Sequence, residues 1–448
     1  MKRITRTLIS VFFSLAIRIC SYSIVACLYF LVTKERTADG KLVRLSGNSD
    51  NGRITLLALK PDHFHGDLDI LSGTGEFRVL QIPFRWQSRL IHQFYPRSLE
   101  EKVAIHNPSP DNPLYRKKQH LRNYLTIFLP KLYSKLKIEC VIGSLIEHEE
   151  NLDWGEVSKE IGIPYVVLHR ECLITSQKHK YKVRKVVKKI NGNFNGTQMV
   201  VHNKACRQLY IDTGYVKAHQ ISSLGCIRMD EFVKRVRKHN NHKTQRKKVL
   251  FVPLFPIRKL LVEGDQVDLK FVHDVYKTLI DFADRHSEID IIIKPKPKEH
   301  DLLNVLIGEL GMQLKLDNIS NLYIRSDVDM QELILESSVV CGRKSTVLLE
   351  AAIAGKPIVF PHFKEIQSPQ YDYFNTYKDY FGIFHVAESI KDLETHITKC
   401  LEKPIVDERV MEERWAVFDK YVSSVDGSAT KKYVELIKKV VLAQQSNE

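Results

Sequence analysis

From residue 53 onward the chain alternates short apolar runs with amphipathic stretches. ITLLAL (54–59), FRVLQI (77–82), IECVIG (138–143), PYVVLH (164–169), TQMVVH (197–202) and QISSLG (220–225) have the length and apolar content of buried strands. Segments of helical period, such as 116–136 and 203–213, lie between several of them. That alternation predicts an α/β unit with a mainly parallel sheet. The interval VRKHNNHKTQRKK (236–248) is polar, basic and without apolar periodicity, and reads as a linker. The pattern then restarts with VLFVPLFP (249–256), a helix near 268–285, IDIIIKPKP (289–297), a helix near 301–310, NLYIRS (321–326), a helix near 329–337 and SSVVCGRKSTVLLEAAIAGKPIVFP (337–361). The expected organisation is an anchor and linker over 1–52, a first α/β domain over 53–235, a linker over 236–248, a second α/β domain over 249–407 and helices over 408–448. Two such domains place a cleft between the carboxyl ends of two parallel sheets, where ligands gather.

The amino terminus follows another pattern. LISVFFSLAIRICSYSIVACLYFLV (8–32) carries Arg18 as its only charge, with Lys2, Arg3 and Arg6 before it and Lys34, Arg36, Lys41 and Arg44 after it. The run is long enough to cross a bilayer core of about 30 Å. Arg18, near its middle, costs about 2.5 to 3.5 kcal/mol on insertion. A membrane anchor is expected, either as a span or as an interfacial segment, with a buried helix as the alternative. A secretory signal fits poorly, because the apolar region is too long and no small-residue cleavage pattern precedes the charges.

Charge narrows the partners. The chain holds 68 Lys and Arg against 53 Asp and Glu, a net +15, which points to nucleic acid, an anionic membrane face or phosphorylated ligands. Neither a zinc finger, nor an RNA-recognition strand signature, nor aromatic interleaving of the basic runs is found, so nucleic acid is not an expected partner. The run KHKYKVRKVVKKI (178–190) sets Val183, Val186, Val187 and Ile190 at helical spacing among Lys and Arg. It suits an anionic membrane surface or a core-packed helix with a solvated face. The eight cysteines show no metal or disulfide spacing and read as reduced core thiols.

Three features of the second domain converge on the cleft if its strands are parallel. Lys294 and Lys296 leave a strand within KPKPKEH, where the prolines stiffen the exit. Arg343, Lys344, Ser345 and Thr346 occupy the turn between VVC and the helix that follows, where Ser345 or Thr346 can cap that helix. Glu350 lies one turn inside it. A helix start of this kind beside lysine and arginine makes a seat for an anion, and Glu350 is placed to accept hydrogen bonds from ribose hydroxyls. In the first domain PYVVLH runs into HREC (169–172), which puts His169, Arg170 and Glu171 at a strand's carboxyl end. Glu171 is a candidate general base for an acceptor hydroxyl. The cluster KPDHFHGDLD (60–69) offers Asp62, His63 and His65 on the acceptor side. With no second half to a metal site, these histidines are read as loop residues.

KPKPKE (294–299) and SSVVCGRKSTVLLEAAIAGKPIV (337–359) resemble the donor-binding half of GT-B-fold glycosyltransferases, in particular the capsule and surface-polysaccharide group that includes CDP-glycerol glycerophosphotransferases. IPYVVLHRECL (163–173), TGYVKAHQISSLGCIRMDEF (213–232) and DGSATKKYVELI (426–437) are similar to segments of the same group, so the resemblance covers roughly residues 53–440. It implies two Rossmann-like domains facing across a cleft, the second holding a nucleotide-activated sugar or polyol phosphate and the first the acceptor. It also implies transfer without metal or cofactor. Carried over by position, Lys294, Ser345, Thr346 and Glu350 hold the donor and Glu171 is the base, with Lys296 and Arg343 as further donor-side cations and His65, His169 and Arg170 on the acceptor side. Where members of the group have Lys-Pro-His-Pro, this chain has Lys296 in place of the histidine. The expected protein is a membrane-associated glycosyltransferase with cytoplasmic catalytic domains, using a nucleotide-sugar donor and a glycan or lipid-linked acceptor beside an anionic membrane. Polyol-phosphate transfer from a CDP-glycerol-type donor and a non-catalytic GT-B-like membrane scaffold are the alternatives.

Overall fold

A computed structural model describes residues 12–45, 52–95, 107–146, 149–170, 172–238, 246–254, 269–312, 316, 318–369, 371 and 375–446. The chain divides into two compact units. The first takes in residues up to Cys172, Lys180–Asp230 and the chain from Asp426 on, and the second Leu173–His179 and Glu231–Val425.

The first unit holds an eight-stranded sheet: β1 (Lys34–Arg36), β2 (Leu42–Arg44), β3 (Ile54–Ala58), β4 (Phe77–Gln81), β5 (Cys140–Gly143), β6 (Tyr165–Leu168), β7 (Gln198–Val201) and β8 (Ile221–Ser223), in the order β2-β1-β4-β3-β5-β6-β7-β8. From β4 to β8 all neighbours are parallel, while β1 is antiparallel to both β2 and β4. Strands β4, β5 and β6 are buried at every position, as parallel strands covered on both faces must be. Leu56, Val79, Ile142, Val166 and Val200 meet Tyr433, Ile437 and Val441 of the last helix, Ala429–Gln445, in one core. The start of that helix is held from far away in sequence. The Asp230 carboxylate accepts the N–H groups of Ala429 at 3.0 Å and Thr430 at 2.7 Å, meeting donors that a helix end otherwise leaves unpaired.

The apolar amino terminus does not form one straight rod. A helix over 12–18 gives way to a turn at Ile19 and Cys20, the latter with φ 53°, and a second helix runs Tyr22–Val32. Among the described residues no helix is long and apolar enough to cross a membrane, which corrects the expectation of a span over 8–32; residues 8–11 lie outside the described ones. The second helix packs into the first unit. Tyr29 is fully buried among Trp86, Phe128 and Trp154, and its hydroxyl donates to the Trp86 carbonyl at 2.8 Å. Such aromatic burial holds the helix against the long helix Pro113–Leu136.

The second unit holds six strands, all parallel: β9 (Lys247–Phe251), β10 (Ile289–Ile293), β11 (Leu322–Ile324), β12 (Val339–Cys341), β13 (Ile358–Pro361) and β14 (His385–Ala387), ordered β11-β10-β9-β12-β13-β14. Its core gathers Val249, Phe251, Ile291, Ile293, Val339 and Val359 with the helices Leu269–Arg285 and Ile390–Glu402. Residues 239–245 of the expected linker lie outside the described residues. All eight cysteines are free thiols, six buried and two, Cys20 and Cys27, exposed.

Candidate functional site

In the second unit the carboxyl edges of β10, β9 and β12 stand side by side. The Lys294 N–H donates to the Phe251 carbonyl at 3.1 Å and the Val252 N–H to the Cys341 carbonyl at 2.8 Å, so the three exits are in register. Gly342 is required here by space, because a Cβ on it would come within 2.9 Å of the Val252 Cβ. The topology thus brings Lys294, Lys296 and the Arg343–Thr346 turn to one edge of one sheet, where open parallel sheets take their ligands.

The side chains there are not alike. Lys294 is buried and turned onto backbone, its ammonium donating to the Ser326 carbonyl at 2.9 Å and the Pro295 carbonyl at 3.2 Å. Burial pushes its pKa down, against the upward pull of Asp327 and Asp329. Lys296 is exposed and lies 3.3 Å from Glu299. Ser345 closes its own turn, its hydroxyl accepting from the Val347 N–H at 3.2 Å and its carbonyl from the Tyr377 hydroxyl at 2.7 Å. Thr346 is the residue before the helix Val347–Ile353 and makes no side-chain cap. Glu350 is buried, accepts from the Gln331 amide at 3.4 Å, and helps burial push the Tyr377 phenol upward.

Arg343 has unusual company. It is buried between Phe271 and Phe360, each ring centroid 5.6 Å away, and Nη1 lies 3.4 Å from both the Pro361 carbonyl and His362 Nδ1. Its buried Nη2 has no hydrogen-bond partner among the described residues. Burial brings the guanidinium down to about 9, with no described carboxylate pulling the other way. The Gly-Lys-Pro segment that follows is structural. Lys356 donates to the Leu335 carbonyl at 2.6 Å, and the buried Arg414 holds the Lys356 carbonyl at 2.9 Å.

In the first unit the loop after β3 and the exit of β6 meet. Arg170 donates to the His63 carbonyl at 2.6 Å and pairs through Nε with Asp67 at 3.3 Å, while Arg228 pairs with the other oxygen of Asp67 at 3.0 Å. His65 is exposed, with φ 46°, followed by Gly66 with φ 99°. His169 is buried instead, its Nε2 2.9 Å from the Tyr210 hydroxyl. Glu171, the expected base, lies outside the described residues. Asp67, Arg228, Gln331, His362 and Tyr377 were not singled out by the sequence reading. GDLD and GCIRMD were the only signals for the first two, and nothing local announces the others. The basic helix Gln177–Ile190 contains no acid and exposes Lys182, Arg184, Lys185, Lys188 and Lys189. A cavity of about 580 Å³ near Arg53, Thr55, Tyr133 and Glu139 opens at the amino ends of β3 and β5, at the other end from the strand exits.

No protein-family model and no curated protein matches the chain. Among solved structures it is similar to a putative UDP-N-acetylglucosamine 2-epimerase from Listeria monocytogenes, at 12% identity over 86% of this chain and 96% of that one, with a TM-score of 0.50. Similarity extends to the UDP-GlcNAc 2-epimerase of Neisseria meningitidis, at 12% identity over 86% and 99% with a TM-score of 0.46, and to a variant of the wall teichoic acid polymerase TagF, at 14% over 99% of both chains with a TM-score of 0.45. At such identities the likeness speaks for the fold alone. The chain has a two-domain α/β fold of GT-B type.

Proposed function

We propose that the chain is a glycosyltransferase that moves a sugar from a nucleotide-activated donor to a hydroxyl of a glycan or lipid-linked acceptor in surface polysaccharide assembly. The observation that carries this reading is Arg343, a buried guanidinium with no carboxylate partner among the described residues, at the carboxyl edge of an all-parallel sheet. A desolvated cation of this kind gains most from an anionic ligand, and its planar fork suits phosphate oxygens.

In this reading the donor diphosphate lies against the exits of β9, β10 and β12. Arg343 and Lys294 face its charge, Lys296 adds an exposed cation, Ser345 and Thr346 offer hydroxyls, and Glu350 accepts from the ribose. Lys294 and Ser345 exchange their present hydrogen bonds for ligand ones as the donor binds. As the acceptor oxygen bonds to the anomeric carbon, the bond from that carbon to the diphosphate breaks. The acceptor proton passes to Glu171, and the negative charge left on the nucleotide is met by the cations. Arg170 and His65 border the acceptor, and His169 supports the strand exit from within. The reading calls on no metal ion or cofactor.

Two other readings share the fold: CDP-glycerol-type polyol-phosphate transfer, which uses the same donor seat, and a GT-B-like scaffold without turnover, which Lys296 supports because it stands where the resembling group has histidine. Thermal melts of the full chain with UDP, CDP, CMP, GDP and TDP separate these, since a ligand of the native state raises its melting temperature. One nucleoside diphosphate is expected to raise it, and Arg343→Met and Arg343→Lys to abolish or shrink that rise. With the matching nucleotide sugar, Glu171→Ala is expected to lower turnover by about 100-fold or more. Release of CMP from a CDP-polyol moves the assignment to polyol-phosphate transfer. A nucleotide-induced shift without turnover on any acceptor favours the scaffold, sugar epimerisation without an acceptor makes the chain an epimerase, and no shift with any nucleotide rejects the donor site.

A further inference from the structure

Residues 12–32 are apolar both on the side they bury and on the side they show. In the helix over 12–18, Phe13, Ala16 and Ile17 are buried, while Phe12 and Leu15 on the opposite stripe, and Ile19 just beyond it, are 50%, 53% and 63% exposed. The helix Tyr22–Val32 buries Val25, Ala26 and Tyr29 and shows Ile24, Cys27, Phe30 and Leu31, the last 72% exposed. Ordinary surface helices of this protein do the reverse: Ala429–Gln445 buries Tyr433, Ile437 and Val441 and turns Lys431, Glu435 and Lys438 to solvent. Leu42 and Val43 of β2 are exposed as well, so eight of the sixteen exposed large apolar side chains among the described residues come from positions 12–43. Such a concentration marks an interaction face, not scattered surface apolarity.

The charges around it select the occupant. Arg18, Lys34 and Arg44 stand exposed within the same segment. Of its acids, Glu35 is buried and held by Arg53 at 3.3 Å and Arg78 at 3.1 Å, and Asp39 is paired with Lys41 at 2.6 Å. What faces outward is apolar with a cationic border. A two-fold contact between copies would bring two surfaces of the same cationic border together, a like-charge arrangement. Anionic lipid headgroups complement the same border. Over the described residues neither helix is long enough to span: at 1.5 Å per residue the longer reaches only about 17 Å, against a core of about 30 Å.

We infer that the outward stripes of the helices over 12–18 and Tyr22–Val32 lie in one leaflet of an anionic bilayer, with Leu15, Ile24, Phe30 and Leu31 in the acyl region and Arg18, Lys34 and Arg44 at the headgroups. The opposite stripes fix that contact rigidly to the first unit. This goes beyond the transferase reading and stands without it.

Flotation of the full chain with phosphatidylcholine vesicles, with and without phosphatidylglycerol, tests the contact. Wild type is expected to float with phosphatidylglycerol vesicles. Leu15→Asp, Ile24→Asp and Leu31→Asp combined should cut the bound fraction by about tenfold or more with an unchanged melting temperature, because the substituted positions are exposed. Leu302→Asp with Val305→Asp, at exposed apolar positions elsewhere, should leave flotation unchanged. Arg18→Glu with Lys34→Glu should weaken flotation only where phosphatidylglycerol is present. Flotation of the triple variant like wild type, failure of wild type to float, or a wild-type dimer in sedimentation velocity that the triple variant dissolves would each overturn the inference.

Discussion

Arg170 and Arg343 both follow parallel strands, yet they stand in opposite electrostatic company. Arg170, after β6, shares the Asp67 carboxylate with Arg228 and donates to the His63 carbonyl. Arg343, after β12, is wedged between two aromatic rings and forms no ion pair with a described carboxylate. The first arrangement ties three chain segments of the first unit together and is compensated within the fold. The second leaves a desolvated charge that no described carboxylate pairs. The difference teaches that an arginine at a strand's carboxyl end is read by its partners rather than by its position: compensation within the fold speaks for scaffold, and its lack among the described residues is what the proposed anion seat rests on.

The largest expected effect breaks the compensated side. Asp67→Ala leaves Arg170 and Arg228 close together with no carboxylate between them, and urea unfolding should show a loss of about 3 to 5 kcal/mol. Arg343→Met should move stability the other way, a gain of about 1 kcal/mol in the absence of ligand, because an apolar chain of similar volume replaces an uncompensated buried charge. A loss of stability there would mean that the two aromatic contacts and the carbonyl outweigh burial, and the contrast between the two arginines would fail.

Alkaline titration sharpens the same point with a defined sign. The folded-state pKa of Arg343, at about 9, lies below its ordinary value. Above that pH the unfolded chain binds more protons than the folded one, so unliganded stability from this group rises with pH. An anion bound there favours the charged form, so the nucleotide-induced melting shift should hold near neutral pH and shrink above about pH 9, and Arg343→Met should remove that dependence. The smallest effect belongs to Lys296→Ala. This side chain is exposed with a single partner three residues away, so stability should change by no more than about 0.5 kcal/mol. An effect confined to turnover would set it apart from a solvated loop lysine.

Much of the architecture was legible because buried parallel strands announce themselves. ITLLAL, IECVIG and IDIII are short, predominantly apolar runs, and they contain β3, β5 and β10. Strands β1 and β2 escaped notice: KER and LVR are three residues each, and antiparallel pairing on a sheet edge places few demands on side chains. The stretch 8–32 was expected as one segment because its hydropathy is continuous. Hydropathy averages over all directions, however, and is silent about which side of a helix meets protein. At the candidate site, the sequence placed Lys294 and the 343–346 turn on strand exits. It did not show that Lys294 is spent on carbonyls while Arg343 has a nitrogen without a hydrogen-bond partner among the described residues, since the groups around them come from Ser326, Phe271 and Pro361, distant along the chain.

By itself the sequence determined where the apolar runs fall, and with them the α/β class and the residues found at strand exits, because burial of short β-branched runs is a local matter of composition and period. Which of those residues carry uncompensated charge, and which face of the amino-terminal helices remains uncovered, was decided only by the tertiary structure. Desolvation and pairing depend on groups brought together from far apart in the chain, and no local pattern encodes them.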